Sequence, residues 1–529
     1  MMSRPDFAAC LGLVVGLVLF STTAVTQSQP TGQLTPADEP AIAITPYRTP
    51  PAGSRYLVFI SDLHLGVGRR PDGSWDPTED FRWPKALDGF LQEVSRRGQD
   101  QVDLVIVGDF LELWQPPASI PCKGTSADLG CTLDEMESLS RLVVAAHSDS
   151  LSILRAFAER GENRLHVVPG NHDATLRYER VWRPLGEVLN VTSGRINLVE
   201  SGIWTSPDER IVAEHGHQIG MDVNRYEQWP RIVRREGGLQ YVIRPWGELF
   251  VQRLFNEQEE TYPIIDNLSP ESAGARYRAA DRGLWGSAKD IARFIFFNLW
   301  ETSPKQRGAS LGPEAIDKRE WSIKVARTLG ADLFLKALPP EDELSNQIQA
   351  GGSNAEAVKA ELAAMAKSIS RVPDEAILHL CDLVADRGTP LCADPELGQL
   401  GQHLFLAKAQ ILSRHFRARQ LQFRAMRVFI YGHTHQFETP CSVALNDLIS
   451  ITVANTGAFQ RLIDEEGFLR VIGGTPPWEG LRTLRLEQLP PRYTAVIVAD
   501  ANSNPEVYAW HMPEDGIGAL VTAEDGRCR

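Results

Sequence analysis

The sequence is short of cysteine and of positive charge, and each shortage removes a class of function. Seven cysteines occur in 529 residues, and none has the Cys-x-x-Cys spacing of a zinc ribbon or a redox site. Lys and Arg number 54 against 68 Asp and Glu, for a net charge of −14. Phosphate-backbone affinity comes from clustered Lys and Arg, so no nucleic-acid scaffold is expected as a partner. An anionic small molecule would need local positive charge, which bound metal ions supply. The 43% hydrophobic and 23% charged fractions are those of an ordinary globular protein and exclude disordered or fibrous classes.

A long charge-free apolar run is confined to the N-terminus. Arg4 precedes Ala8–Phe20, and small residues follow from Ser21 to Ala24. This is the profile of a signal peptide, with an uncleaved anchor as the alternative, so residues 1–26 are set aside from the fold. The expected location is exported, periplasmic or extracellular; if the segment is retained, it would associate the protein with a membrane. Residues 27–54 are rich in Pro, Thr, Ser and Gly and read as a flexible linker. With Cys10 inside the apolar run, Cys122, Cys131, Cys381, Cys392, Cys441 and Cys528 remain, an even number compatible with an oxidising compartment. Local spacing pairs Cys122 with Cys131 and Cys381 with Cys392; free buried thiols are the alternative.

The folded part begins near Arg55. RYLVFISD and VDLVIVGD are continuous apolar runs ending in polar residues, as buried parallel strands require, with a helical pattern from Pro84 to Arg97 between them. A cysteine-bearing loop at 115–133, a long helical stretch from Leu133 to Arg160 and a third strand at 164–170 follow. Further strands are expected at 195–199 and 209–214, and the next of the same type only at Met426. Helical patterns near 226–260, 287–301, 316–338, 355–386 and 396–424 fill the interval. After it, strand-like runs at 449–457, 481–489, 493–500 and 507–512 alternate, which predicts an antiparallel second sheet. The expected architecture is α/β, an αββα two-sheet sandwich with a large helical insertion. Its parts are 55–217, the insertion 218–424 acting as a cap, and 425–529.

Five polar clusters close strands in this reading: SDLHLG at 61–66, GDFLELW at 108–114, GNHD at 170–173, EHGHQ at 214–218 and YGHTH at 431–435. Hydrolysis of a phosphate ester at two metals needs a shared anionic ligand, neutral nitrogen ligands and groups that stabilise the leaving oxygen. Asp62 and His64, two residues apart at a strand end, can point the same way. Asp109 has two oxygens with which to bridge, Asn171 offers a neutral carbonyl oxygen, and His215, His433 and His435 offer imidazoles.

These blocks, in the order DxH, GD, GNHD, H and GHxH, resemble the calcineurin-like metallophosphoesterase superfamily over 55–217 and 426–457. The resemblance implies the αββα sandwich and two divalent metal ions, Mn, Fe, Zn or Co. Asp62, His64 and His435 would hold one ion and Asn171, His215 and His433 the other, with Asp109 bridging. His172 would act on the leaving group, oriented by Asp173, and metal-bound hydroxide would attack phosphorus. His217 stands as an alternative ligand, a support or a substrate contact. SDLHLG, the GDFLELW continuation, HGH and NTG at 455–457 are most similar to the UDP-2,3-diacylglucosamine pyrophosphatase branch. The chain departs from that branch at His172, where the branch has Arg, in its predicted exported location, against the branch's cytoplasmic membrane face, and in the length of its insertion. The expected substrate is a phosphorylated small molecule or a lipid-linked phosphate.

Two features of the insertion bear on specificity. Arg225, Arg231, Arg234 and Arg235 cluster on its first predicted helix and would contact a second phosphate, or else are solvated surface charges. RFIFFNLW at 293–300 reads as an amphipathic core helix, with an acyl pocket or membrane contact as the alternative. The competing function is a non-catalytic scaffold that binds a partner through the insertion.

Overall fold

A computed structural model describes residues 55–219, 224–269, 415–445, 448–500, 503–513 and 517–523, with 273–274, 277–278, 281–282, 302–303 and 306. The N-terminal 54 residues, RFIFFNLW, Cys381, Cys392 and most of 218–424 lie outside the described residues. No helix among the described residues is long and apolar enough to cross a membrane.

The first sheet is built on four parallel strands, β1 (Tyr56–Ile60), β2 (Val102–Val107), β4 (Arg164–Val168) and β5 (Ile196–Leu198). On the other side of β1, β15 (Arg492–Val498), β16 (Glu506–His511) and β17 (Ala519–Thr522) continue it in antiparallel fashion. The apolar runs are continuous because both faces are covered. Leu57, Phe59, Val105 and Val107 face the second sheet, while Val58, Ile60, Leu104 and Ile106 face the helices. Helix α1 (Pro84–Arg97) starts on a proline whose fixed φ suits the first turn, and Leu87, Phe90, Leu91 and Val94 make one buried stripe. The predicted single helix from Leu133 to Arg160 is two, α2 (Leu133–Ala146) and α3 (Ser148–Glu159). Between them His147 leaves helical backbone, and its Nε2 lies 3.1 Å from the buried carboxylate of Glu79. Helix α4 (Glu179–Leu189) completes this layer.

The second sheet runs in the order β12 (Phe437–Ala444), β13 (Ser450–Thr456), β11 (Val428–Tyr431), β7 (Ile211–Glu214) and β6 (Ile203–Thr205). Strand β11 is parallel to both β7 and β13, and the outer strands are antiparallel. Trp204, Ala213, Ile430 and Ala454 close the core between the sheets against Phe59, Val105 and Val496. The outer face packs on Tyr226, Trp229, Phe416 and Phe423, the last two within or next to the helical residues 415–422. The layers are therefore helix, sheet, sheet, helix.

Three expectations are corrected. The strands predicted at 493–500 and 507–512 belong to the first sheet, because YTAVIV is buried on both faces and so takes a central place beside β1. The run 481–489 is not a strand. Pro477 opens helix α7 (Pro477–Thr483), which follows α6 (Glu465–Ile472), and a 3₁₀ turn occupies Leu486–Gln488. Its leucines imitate strand alternation, but Leu481, Leu484, Leu486 and Leu489 are all buried, and in one cluster with Ile264, Leu268 and Phe468. Finally, the stretch 226–260 is only partly helical. Strands β8 (Val233–Glu236) and β9 (Leu239–Ile243) form a hairpin about Gly237 and Gly238, both at positive φ, the turn that two glycines between strands favour. The hairpin joins β3 (Leu129–Thr132), and helical backbone is confined to Trp246–Glu259, where α5 (Trp246–Phe250) runs on through a π turn. Strands β10 (Leu268–Ser269) and β14 (Ile463–Asp464) pair with each other.

The predicted Cys122–Cys131 disulfide is present and closes the loop before β3. Cys441 is also disulfide-bonded.

Candidate metal centre

Five strand ends deliver the site. Asp62 and His64 follow β1, Asp109 follows β2, Asn171 and His172 follow β4, His215 follows β7, and His433 and His435 follow β11. These strands are parallel within each sheet, so their carboxyl ends meet at one edge, where α/β sheets bind ligands. The backbone there is unusual. Ten described non-glycine residues have positive φ, and five of them are Asp62, His64, Asp109, His433 and His435, at 54°, 48°, 50°, 71° and 54°. Each residue held in this region costs on the order of 1–3 kcal/mol, a strain that persists only where surrounding contacts impose it and that clusters at functional sites.

The motif glycines permit the approach. A Cβ on Gly108 would stand 2.2 Å from His215 Nδ1, and one on Gly170 would stand 2.2 Å from Asp109 Oδ1. The NTG segment braces the other side. Asn455 Nδ2 donates to Gly432 O at 3.1 Å and to Thr434 Oγ1 at 3.0 Å, and Thr456 Oγ1 donates to Tyr431 O at 3.1 Å.

Asp62 with His64 and His435, and Asp109 with His215 and His433, have ligand atoms close enough to share an ion, as do His64, Glu112 and His172. Asp62 Oδ1 lies 3.4 Å from His435 Nε2 and 3.9 Å from His64 Nε2. Asp109 Oδ2 lies 3.0 Å from His215 Nε2 and 3.7 Å from His64 Nε2, between the two groups. Asp62 Oδ1, His64 Nε2, Asn171 Oδ1 and His215 Nε2 are buried and make no hydrogen bond. Buried polar atoms are ordinarily paired, so a set of converging oxygen and imidazole lone pairs without hydrogen atoms to bind fits divalent cations. The tautomers agree with this. His215 Nδ1 lies 2.9 Å from Val107 O and His64 Nδ1 2.9 Å from Glu112 Oε2, which turns each Nε2 toward the centre.

The electrostatics point the same way. Burial disfavours every charge here. Even so, the neighbouring His215 holds Asp62 well below the usual carboxylate range, and His215, followed by His172, does the same for Asp109. His215 itself, despite burial, is raised to about 9 by Asp109 and Asp62. The carboxylates demand positive charge, and ions that supply it displace protons from the imidazoles.

The partner of His172 differs from the expected one. His172 Nδ1 lies 2.6 Å from Glu112 Oε2, the oxygen that also faces His64 Nδ1, and the ring stacks on Trp114 with centroids 4.0 Å apart. Asp173 does not reach the ring. Its oxygens accept from the backbone N–H groups of Gly170 at 2.7 Å, Phe110 at 2.9 Å and Leu111 at 3.2 Å, which ties the GNHD turn to the GDFLELW loop. Burial, followed by the charge of Asp109, pushes the Asp173 carboxyl up to about 7. Glu112 and Trp114 were legible in GDFLELW as an acid and an aromatic just past Asp109, but nothing in the spacing says which imidazole they meet.

The remaining candidates separate. His217 is buried outside both groups, with its ring 5.0 Å from that of Trp229, and its Nδ1 has no partner. Arg225 donates to Gln218 O at the root of the insertion. Arg231 and Arg235 are exposed, and Arg234 pairs with Asp128 at 3.0 Å. The four arginines are not a helical face, since Arg234 and Arg235 are neighbours on β8 and a strand turns neighbours to opposite sides. Tyr226, which the sequence did not mark, donates to Asn171 O at 3.1 Å.

Residues 56–295 match the family model for calcineurin-like phosphoesterases. The chain carries a calcineurin-like phosphoesterase domain. No curated protein and no solved structure matches it. The matched stretch contains the strands that bear Asp62, Asp109, Asn171 and His215; His433 and His435 lie beyond it and join the site through β11.

Proposed function

We propose that the protein is a dinuclear metal-dependent hydrolase of phosphate monoesters, diesters or pyrophosphates. The observation that carries this reading is the convergence of Asp62, His64, Asp109, His215, His433 and His435 from four strand ends, with buried, unpartnered ligand atoms on Asp62, His64 and His215 and on the nearby strand-end residue Asn171. Asp62, His64 and His435 would hold one ion and Asn171, His215 and His433 the other, with Asp109 shared. Bound metal ions lower the pKa of water and neutralise charge on the phosphoryl oxygens. The chain's own work is positioning and proton transfer. His172 presents Nε2 to the leaving oxygen while Glu112 fixes Nδ1 and Trp114 covers one ring face. Glu112 accepts from Nδ1–H and so orients the ring, and it would stabilise the imidazolium form, whose Nε2–H can be given to the leaving oxygen.

Export is part of the reading and is supported by the N-terminal apolar segment and the Cys122–Cys131 disulfide. The motif likeness to the UDP-2,3-diacylglucosamine pyrophosphatase branch carries over the reaction class and not the substrate. Purified protein should hold two metal ions per chain and release p-nitrophenol from a chromogenic monoester or diester. Two bound ions with neither ester cleaved would redirect the reading to a narrow pyrophosphate substrate. The scaffold alternative predicts metal-free protein that binds a partner and tolerates His433→Ala.

A further inference from the structure

The serine before Asp62 and the threonine of the NTG segment meet in a chain of buried hydroxyls. Ser61 follows β1 in the first sheet, and Thr456 ends β13 in the second. Ser61 Oγ donates to Asp62 Oδ2, and it lies 2.6 Å from Thr456 Oγ1 and 3.0 Å from Gly457 O. Thr456 Oγ1 lies in turn 3.1 Å from Tyr431 O, at the end of β11. Ser61, Asp62 and Thr456 are all fully buried. The chain therefore joins the two sheets at the edge where the ligands converge. It also accounts for the glycine of YGHTH, since a Cβ on Gly432 would stand 2.4 Å from Ser61 Oγ and 2.7 Å from Asp62 Oδ2.

This chain makes the two oxygens of Asp62 unequal. Oδ2 accepts from the Ser61 hydroxyl and from the backbone N–H of His433 at 3.1 Å, which occupies both of its lone pairs. Oδ1 is buried, makes no hydrogen bond and lies 3.4 Å from His435 Nε2. Only Oδ1 is left for a cation. Each hydroxyl has a single proton to place. An ionised carboxylate claims that of Ser61, because a hydrogen bond to a charged oxygen is about twice as strong as a neutral one. Thr456 then shares its own proton between Ser61 Oγ and Tyr431 O, and a donor behind Ser61 strengthens the bond that Ser61 gives to the carboxylate. The direction of the Asp62 carboxylate is thus set by two hydroxyls, neither of which is a ligand.

We propose that Ser61 and Thr456 are positioning residues for the ion assigned to Asp62, His64 and His435. Ser61 fixes the carboxylate with Oδ1 toward the ion, and Thr456 fixes Ser61. The inference rests on the metal centre of the proposed function and deepens it. Its test is a stepwise calorimetric titration of the metal-free full chain with Mn²⁺, in which the step that disappears in His435→Ala identifies this ion. Ser61→Ala should weaken that step by about 10–100-fold, as loss of a partner behind a ligand does, and the other step by less. Thr456→Ala should act in the same direction by a smaller factor. Thr456→Ser, which differs from it by the hydroxyl alone, should bind as the natural chain does. Unchanged steps in both alanine variants, equal weakening of both ions, or a Thr456→Ser variant as weak as Thr456→Ala would each overturn the inference, the last because it would assign the effect to the lost methyl. Should Thr456→Ala fail to fold, Ser61→Ala decides by the same criteria. A natural chain that takes up none of Mn²⁺, Fe²⁺, Zn²⁺ and Co²⁺ brings down the metal centre and this inference together. Two ions bound without ester hydrolysis bring down only the phosphoesterase reading, and the titration still decides the role of the hydroxyls.

Discussion

The two halves of the proposed metal centre are differently supported. The Asp62, His64 and His435 half is held by the phosphoesterase loops themselves. Ser61 bonds to Asp62, Glu112 braces His64, and the NTG turn braces the loop of His435. The half containing Asn171, His215 and His433 leans on both ends of the insertion. Where the insertion leaves the domain, Tyr226 holds the carbonyl of Asn171 and Trp229 packs on His217. Where it returns, Arg419 and His415 close on Glu214, the residue before His215. Arg419 Nε and Nη2 reach the two Glu214 oxygens at 3.1 and 3.2 Å, and all three side chains are buried. The insertion is therefore part of the scaffold of one half-site, and its own specificity surface is a separate matter.

The comparison is broken most completely at the residue common to both halves. Asp109→Asn should remove both ions together and lower phosphoester hydrolysis by more than about a hundredfold, since even residues that only orient ligands cost about 10–100-fold. Metal content per chain, measured beside activity, checks this, and one ion retained at full occupancy would show that Asp109 is not shared.

Arg419→Met comes next. Removing Arg419 leaves the buried Glu214 with His415 as its remaining partner, at a cost approaching about 3 kcal/mol. Denaturant unfolding should record that loss, and metal titration should show the second ion weakened more than the first. Equal weakening of both would mean that the insertion's return supports the whole site evenly.

Glu112→Gln tests the other half. The expected loss is about 10–100-fold in kcat, because Glu112 orients both a ligand and His172. The same variant has a pH signature. Burial pushes the Glu112 carboxyl up, but the charges of His172 and His64 more than offset it and hold it at about 2, below its ordinary 4.5. A depressed folded pKa stabilises the fold above about 4.5, and that stability is lost as pH falls toward about 2. Unfolding of metal-free protein across this window should be less pH-dependent in Glu112→Gln than in the natural chain.

The asymmetry also explains what was readable in the sequence. Ligands at strand ends announce themselves because a buried apolar run followed by Asp, Asn or His beside glycine is a local pattern, and Asp62, His64, Asp109, His215, His433 and His435 fall into compact groups at that edge. Supports are non-local. Glu112 lies 60 residues from His172, and Arg419 lies 205 residues from Glu214, so no window contains both partners. Asp173, next to His172 in sequence, was the natural guess for its partner, but the tight turn directs that carboxylate into the backbone of a neighbouring loop. The C-terminal strands misled for a related reason. Alternation reports burial and not which sheet a strand joins, and Arg492–Val498 crosses back to β1 by long-range pairing alone.

The smallest expected effect is the sharpest test of the insertion's entry. Tyr226 is buried, and its hydroxyl donates to the backbone carbonyl of Asn171 and also hydrogen-bonds with Trp114. Tyr226→Phe keeps the ring and its packing while removing that donor, so the fold should lose only about 1 kcal/mol. The carbonyl belongs to the residue proposed as a ligand of the second ion, and freeing it should let the GNHD turn relax without disturbing the Asp62 half. The second ion should then bind several-fold more weakly, with the first unchanged and KM for a chromogenic diester shifting less than kcat. A stepwise metal titration in which both ions weaken in parallel, or neither does, would show that the entry of the insertion only packs against the site and does not position it.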